Sequence, residues 1–335
     1  MPAFTLSFLL LCQAPQQPAY DPLARTGSPP PSQSFTAVDA TRERTLPLRV
    51  YLPEAKSAAP VVLWSHGLGG SCDNSKYLGE HWAARGYVAV FLQHPGSDES
   101  VWRGVALRDR MPAMQKAANG ENLRLRCQDV TFVLDQLERW QAEAQHPLHG
   151  RLDLEHVGMC GHSFGALTTQ SVCGQSAPLI GRKWSDARLD AALPMSPSRP
   201  RGNTAADAFA GVTIPWLLMT GTADDSPVGD QTPESRREVF PALPTTIDRY
   251  ELVLDGANHG VFGEGGGRLF GGKPDPAHHR AILALSTAFW DTYLRSDAAA
   301  KEWLQSDSAR KALAAADQWQ LGKAVATSPA TKSDR

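Results

Sequence analysis

Between residues 157 and 168 the chain reads V-G-M-C-G-H-S-F-G-A-L-T. One serine, Ser163, stands between two glycines, Gly161 and Gly165, just after a short apolar run. The five-residue pattern alone is weak, because a chain with 28 glycines produces such spacings by chance. Its meaning comes from position. A strand that turns sharply into a helix lifts the intervening side chain above the sheet edge, and the crowded turn tolerates only small residues two places away on each side. A serine hydroxyl held there becomes a nucleophile once a base takes its proton. The opening helix adds a positive dipole end and amides that no carbonyl claims, beside the place where an oxyanion would form.

The same alternation of short apolar runs and helical spacing extends in both directions. Two extended segments, S-F-T-A-V-D and L-P-L-R-V-Y-L, are predicted to pair antiparallel over residues 34–52. Strands follow at 61–65, 87–92, 157–160, 189–195, 216–220 and 249–254. Helices are predicted over 75–85, 121–144, 163–173, 233–240 and 277–294, with a further polar helix over 298–320. Apolar strands alternating with helices define an α/β class: a mostly parallel central sheet flanked by helices on both faces. The catalytic-type domain is read as residues 34–296, with an irregular insertion at 95–119 and a C-terminal helix and tail over 297–335.

Composition agrees with a globular chain. Of 335 residues, 42% are apolar and 20% charged, and 33 Lys and Arg against 35 Asp and Glu leave a net charge of −2. No basic stripe suggests nucleic acid, and no apolar run is long enough to span a bilayer. Residues 1–14 read as a signal peptide, with the apolar stretch F-T-L-S-F-L-L-L followed by small residues, although no basic segment precedes it. Residues 15–33, rich in Pro, Gln and Ser, read as a flexible linker. Export to the periplasm or medium is therefore expected. Beyond Cys12, the four cysteines Cys72, Cys127, Cys160 and Cys173 are an even number compatible with two bridges, with Cys160 better read as a small buried hydrophobe. No C-x-x-C pair or histidine–carboxylate spacing points to a metal.

Partners for Ser163 should follow in the order acid, then histidine. After the strand W-L-L-M-T, the loop G-T-A-D-D-S-P carries Asp224 and Asp225. Asp224, three residues after Gly221, is preferred and Asp225 is the alternative. After R-Y-E-L-V-L, the loop D-G-A-N-H-G-V-F carries His259. Both loops leave the C-terminal ends of strands, where ligands collect in parallel sheets. His66 and His162 lack this chain order, and His146, His149 and His156 lie on a polar connection. The two amides of an oxyanion hole are assigned to Phe164 and, in the loop H-G-L-G-G, to Leu68. That glycine loop lacks the G-x-G-x-x-G spacing of a dinucleotide site.

The chain resembles the α/β-hydrolases. It looks closest to the branch of dienelactone-hydrolase-like esterases that includes platelet-activating-factor acetylhydrolases and bacterial polyester hydrolases. The carrying residues are S-H-G-L-G-G (65–70), G-H-S-F-G (161–165), G-T-A-D-D-S-P (221–227) and A-N-H-G (257–260). The resemblance implies Ser163 as nucleophile, Asp224 as orienting acid, His259 as base, Leu68 and Phe164 as amide donors, and no cofactor. Dienelactone hydrolases carry a cysteine where this chain has Ser163. Residues 95–119, with Trp102, Met111 and Met114, have no counterpart and are expected to cap the substrate. Trp102, Phe262 and Phe270 are the expected substrate contacts. The glycine-rich stretch 263–272 reads either as a flap beside the site or as a solvent loop. An exported serine esterase acting on small, medium or polymeric esters is the reading these features favour. A non-catalytic binding protein of the same fold, or an amidase or peptidase using the same triad, are the alternatives.

Overall fold

Val61 and Leu63 face one apolar cluster while Val62 and Trp64, their neighbours in the same strand, face another. That alternation is the physical signature of a sheet buried on both sides, and it organises the whole molecule. The computed structural model describes residues 19–28, 30–202, 204–263 and 275–325. The predicted signal peptide, part of the predicted linker, Phe270 and nearly all of the glycine-rich stretch lie outside the described residues.

Nine strands form one sheet: β1 (Gln33–Asp39), β2 (Arg44–Tyr51), β3 (Ala59–Ser65), β4 (Val88–Leu92), β5 (Leu152–His162), β6 (Ala191–Met195), β7 (Trp216–Ala223), β8 (Arg249–Asn258) and β9 (Gln318–Gly322). Their spatial order is β1-β2-β4-β3-β5-β6-β7-β8-β9. The six strands from β4 to β8 run parallel, while β1, β2 and β9 pair antiparallel at the two edges. The helices are α1 (Lys76–Ala84), α2 (Leu107–Ala117), α3 (Gly120–Ala142), α4 (Phe164–Val172), α5 (Ala205–Phe209), α6 (Pro233–Arg237), α7 (Val239–Ala242), α8 (Pro276–Leu294), α9 (Ala298–Leu304) and α10 (Asp307–Lys311). On one face α3 packs Val130, Val133, Leu134 and Leu137 against the sheet. On the other, α1 and α8 contribute Leu78, Trp82, Leu285, Phe289 and Trp290. The chain has an α/β-hydrolase fold with helices on both faces of a mostly parallel sheet.

Two segments differ from their sequence reading. Residues 298–320 do not form one polar helix. Asp297 caps α9, Ser306 caps α10, and both Arg310 η-nitrogens donate to the carbonyls of Ala314 and Ala315, which closes the second helix. The chain then enters β9, whose Trp319 stacks on Tyr250 of β8 at 5.7 Å between ring centroids. The segment 95–119 is also more regular than expected. It holds a 3-10 turn at Glu99–Val101 and the helix α2, ended where Asn119 caps α3 by accepting from the Asn122 amide.

The four cysteines Cys72, Cys127, Cys160 and Cys173 are buried free thiols. Burial pushes Cys127 up to about 12 and Cys160 well above its ordinary value, so neither is a nucleophile at neutral pH. Among the described residues no helix is long and apolar enough to cross a membrane.

Candidate active site

Three parallel strands deliver three side chains to one edge of the sheet. Ser163 follows β5, Asp224 follows β7 and His259 follows β8, each at the strand's C-terminal end. The intervening strand β6 ties them together: the Ser163 amide donates to the Met195 carbonyl at 2.9 Å, and the Ser196 amide to Met219 at 2.7 Å.

Ser163 adopts φ 58° and ψ −113°, a conformation that costs a non-glycine residue free energy and is held only by its surroundings. The flanking glycines are those surroundings. A Cβ on Gly165 would lie 1.9 Å from the Ser65 carbonyl oxygen, and one on Gly161 2.4 Å from the Gly165 oxygen. Both obstacles are backbone, so no side-chain rotation relieves them. A third glycine does the same work between the other two loops, since a Cβ on Gly221 would lie 2.1 Å from the Ala257 oxygen.

The His259 Nε2 lies 2.9 Å from Ser163 Oγ, and its Nδ1 lies 2.6 Å from Asp224 Oδ1. The second oxygen of Asp224 accepts from the Thr220 hydroxyl at 2.8 Å. Asp225, the alternative acid, makes no such contact with His259. Burial by itself would raise the Asp224 carboxyl. The His259 hydrogen bond and the charge of Arg236 outweigh it and hold the group below its ordinary value.

Leu68 and Phe164 both line the cavity that contains Ser163 and His259. Among the described residues neither amide meets an acceptor, as an oxyanion hole requires. Phe164 is the first residue of α4, so its amide has no intrahelical partner. Trp102 also lines this cavity, and its indole nitrogen donates to the Gly69 carbonyl at 2.7 Å, pinning its segment onto the glycine loop. Phe262 is placed differently from its sequence reading. It is fully buried in the core, its ring 5.9 Å from that of His162, and it does not line the cavity. Its position in a short helical turn after His259 turns the ring inward.

Sequence reading missed the two buried arginines that hold these loops. Arg236, in α6, donates to the carbonyls of Asp224, Ser196 and Pro197 at 2.8, 2.9 and 3.0 Å, and its Nε lies 3.3 Å from the Asp224 carboxylate. Arg126, in α3, donates to the Ser97, Ser65 and Thr168 hydroxyls and to the His66 carbonyl. Its guanidinium also lies 4.8 Å from the centre of the Phe164 ring. Burial draws this guanidinium down to about 9, opposed by the charge of Asp129, and it stays cationic at neutral pH.

Beneath the glycine loop lies a second serine–histidine–aspartate chain, fully enclosed. The Ser65 hydroxyl is 3.0 Å from His94 Nε2, and His94 Nδ1 is 3.1 Å from Asp129, which Arg44 and Arg42 also grip. The hydroxyl is 0% exposed and already accepts from Arg126, so it braces the loop and meets no substrate. Among the described residues no group of three or more histidine, cysteine or acidic side chains is placed to hold a metal ion.

No family model matches the chain. It is similar to Cutinase 1 of Thermobifida cellulosilytica, 22% identical over 211 residues that make up 63% of this chain and 64% of that protein. Cutinase 2 of the same organism is 23% identical over the same shares. The cutinase of Thermobifida fusca (strain YX) is 22% identical, again over 63% of this chain and over 56% of its own length. The similarity thus spans less than two thirds of each of these relatives.

Proposed function

We propose that the chain is a serine carboxylic-ester hydrolase that works through an acyl-enzyme. The observation that carries this reading is the single imidazole bridging two groups, 2.9 Å from Ser163 Oγ on one side and 2.6 Å from Asp224 on the other. His259 takes the Ser163 proton as the oxygen attacks the ester carbonyl, and Asp224 stabilises the imidazolium that results. The Leu68 and Phe164 amides receive the charge on the carbonyl oxygen. His259 then returns the proton to the departing alcohol, and water, activated by the same imidazole, releases the acid. No cofactor enters this sequence. Arg236 keeps the acid loop in place and Arg126 keeps the amide-bearing loop in place.

The distant similarity to cutinases supports polymeric as well as small esters as substrates, and residues 95–119 serve as the cap over the cavity. The branch that joins dienelactone-hydrolase-like esterases to polyester hydrolases is the subgroup these motifs favour. Export, from the apolar segment at residues 4–11, fits such a substrate. The test is hydrolysis of p-nitrophenyl butyrate by purified protein, run beside the matching anilide. Ser163→Ala should lose at least about a thousandfold in kcat, and a fluorophosphonate should label Ser163 alone. Equal activity in the variant would reject the proposal, and faster anilide cleavage would assign the amidase reading instead.

A further inference from the structure

The cavity beside Ser163 measures about 570 Å³. Its apolar part is built by Trp102, Met111, Met114, Leu123, Phe164 and Leu167. Its charged lining has one sign. Arg110, Arg199, Arg201 and Arg236 face it, and among the described residues no aspartate or glutamate does. This is a local feature, because the chain as a whole carries more acidic than basic side chains.

The four arginines are not equivalent. Arg236 is committed to backbone carbonyls and Asp224. Arg199 and Arg201 pair with Glu238 and Asp230 on half-exposed or exposed side chains. Arg110, on α2, differs from all three. Its Nε donates to the Val105 carbonyl at 3.1 Å, and its guanidinium lies 5.5 Å from the centre of the Trp102 ring. Among the described residues no carboxylate pairs with it, which leaves both terminal nitrogens uncommitted on a half-buried side chain that lines a largely apolar cavity. Trp102 in turn donates to Gly69, the neighbour of Leu68. One continuous run of contacts therefore links this cation to the loop that would receive the ester carbonyl.

We infer that the cavity selects esters whose acyl part ends in a carboxylate, that is, half-esters of dicarboxylic acids, with Arg110 as the group that receives the remote carboxylate. The inference rests on the ester-hydrolase reading above and names its substrate class. A guanidinium with two uncommitted nitrogens matches a carboxylate in a two-point arrangement, and the apolar walls fit the methylene spacer between the two ends. The chemistry also supplies the substrate. Hydrolysis of an ester bond in a diacid–diol polyester leaves a carboxylate on one new chain end and a hydroxyl on the other. Fragments that keep one ester beside a carboxylate end, half-esters, are therefore among what that class of reaction delivers. Cleavage breaks its acyl–oxygen bond. The hydroxyl of water ends on the acyl carbon, the remaining proton on the alcohol, and the products are the free diacid and the alcohol.

The experiment compares mono-p-nitrophenyl adipate with p-nitrophenyl hexanoate, each rate divided by its hydroxide-catalysed rate. The native protein should favour the adipate by at least about tenfold in kcat/KM, as expected for a hydrogen bond to a charged group. Arg110→Gln should reduce that ratio towards one, Arg110→Lys should retain part of it, and 0.5 M salt should lower it. Binding of monomethyl adipate to Ser163→Ala, measured by calorimetry, provides a readout independent of turnover and should weaken at least about tenfold when Arg110→Gln is added. Hexanoate turnover without preference for adipate, together with no adipate binding, overturns the inference while leaving the hydrolase reading intact. Adipate binding through Arg110 in a protein that cleaves no ester does the reverse.

Discussion

At the scale of single residues, the site depends on charges that never reach solvent. Arg236 is 2% exposed, and its guanidinium spans the Asp224 carbonyl and carboxylate and the carbonyls of the loop after β6. One cation thus sets the position of the Asp224 carboxylate, which lies 2.6 Å from His259 Nδ1. Replacing it by methionine keeps the volume but leaves three buried carbonyls without their donor, and should cost about 3–5 kcal/mol in stability. A purely structural role would end there. A positioning role predicts more: kcat on p-nitrophenyl butyrate should fall at least about tenfold with KM little changed, because Asp224 then holds His259 less well in the transition state. Arg236→Lys should recover stability better than kcat, since one ammonium cannot reach all of these acceptors. Equal losses in both variants, tracking stability alone, would remove Arg236 from the mechanism. Its role was not legible in the sequence. It sits in S-R-R, a polar stretch of a short helix 12 residues beyond Asp224, and nothing local distinguishes a buried arginine from a solvated one. Ser163, Asp224 and His259 were legible because each follows an apolar strand, so that chain order alone predicts their meeting at one edge.

At the scale of elements, the turn from β5 into α4 is fixed by contacts with β3, its neighbour in the sheet. Gly165 packs directly on the end of β3, and Ser65 pairs with Gly161 in register. Gly165→Ala should therefore destabilise by more than about 3 kcal/mol, since the added methyl meets a carbonyl that cannot rotate away. Gly120→Ala at the start of α3 is the matching control. Nothing lies within 4 Å of its Cβ position, and alanine favours the helix, so thermal denaturation should show no loss. Similar melting temperatures for the two variants would show that the turn is not held by this contact. Periodicity revealed β3 to β8 because buried parallel strands are unbroken apolar runs. It failed at β9 and α2 for the opposite reason. The alternation in Q-W-Q-L-G is only five residues long and becomes a strand through Tyr250, more than sixty residues away. Helix α2 is polar along most of its length and carries Pro112, so its signal was lost although Met111 and Met114 face the cavity.

At the scale of the whole molecule, the buried ionisable network couples stability to pH. His94 on the loop after β4 faces Asp129 and Arg126 from α3, Ser65 from β3, His66 from the glycine loop and, through Asp129, Arg44 from β2. Burial, aided by the Arg126 charge, draws His94 down to about 4 against the partial opposition of Asp129. His66 and His162 are likewise pushed well below their ordinary values, first by burial. Each is neutral when folded and takes up a proton near pH 6.5 when unfolded. The unfolded chain thus binds more protons throughout this window, so stability is full above pH 6.5 and declines as pH falls towards 4. For His94 alone the gap between 6.5 and about 4, at 1.36 kcal/mol per pH unit, corresponds to about 3 kcal/mol. Asp129 and Asp224, held below their ordinary values, keep their contribution until lower pH and lose it below about pH 4. Urea unfolding between pH 7.5 and 4.5 should show this decline, and His94→Gln should shrink the slope by about 2 kcal/mol over that span while the part due to His66 and His162 persists. The slope, not the absolute stability, is the diagnostic, because the variant also disturbs the hydrogen bonds to Ser65 and Asp129. A variant as steeply pH-dependent as the native chain would mean that His94 is protonated in the folded state, and that the enclosed chain under the amide loop carries charge at neutral pH.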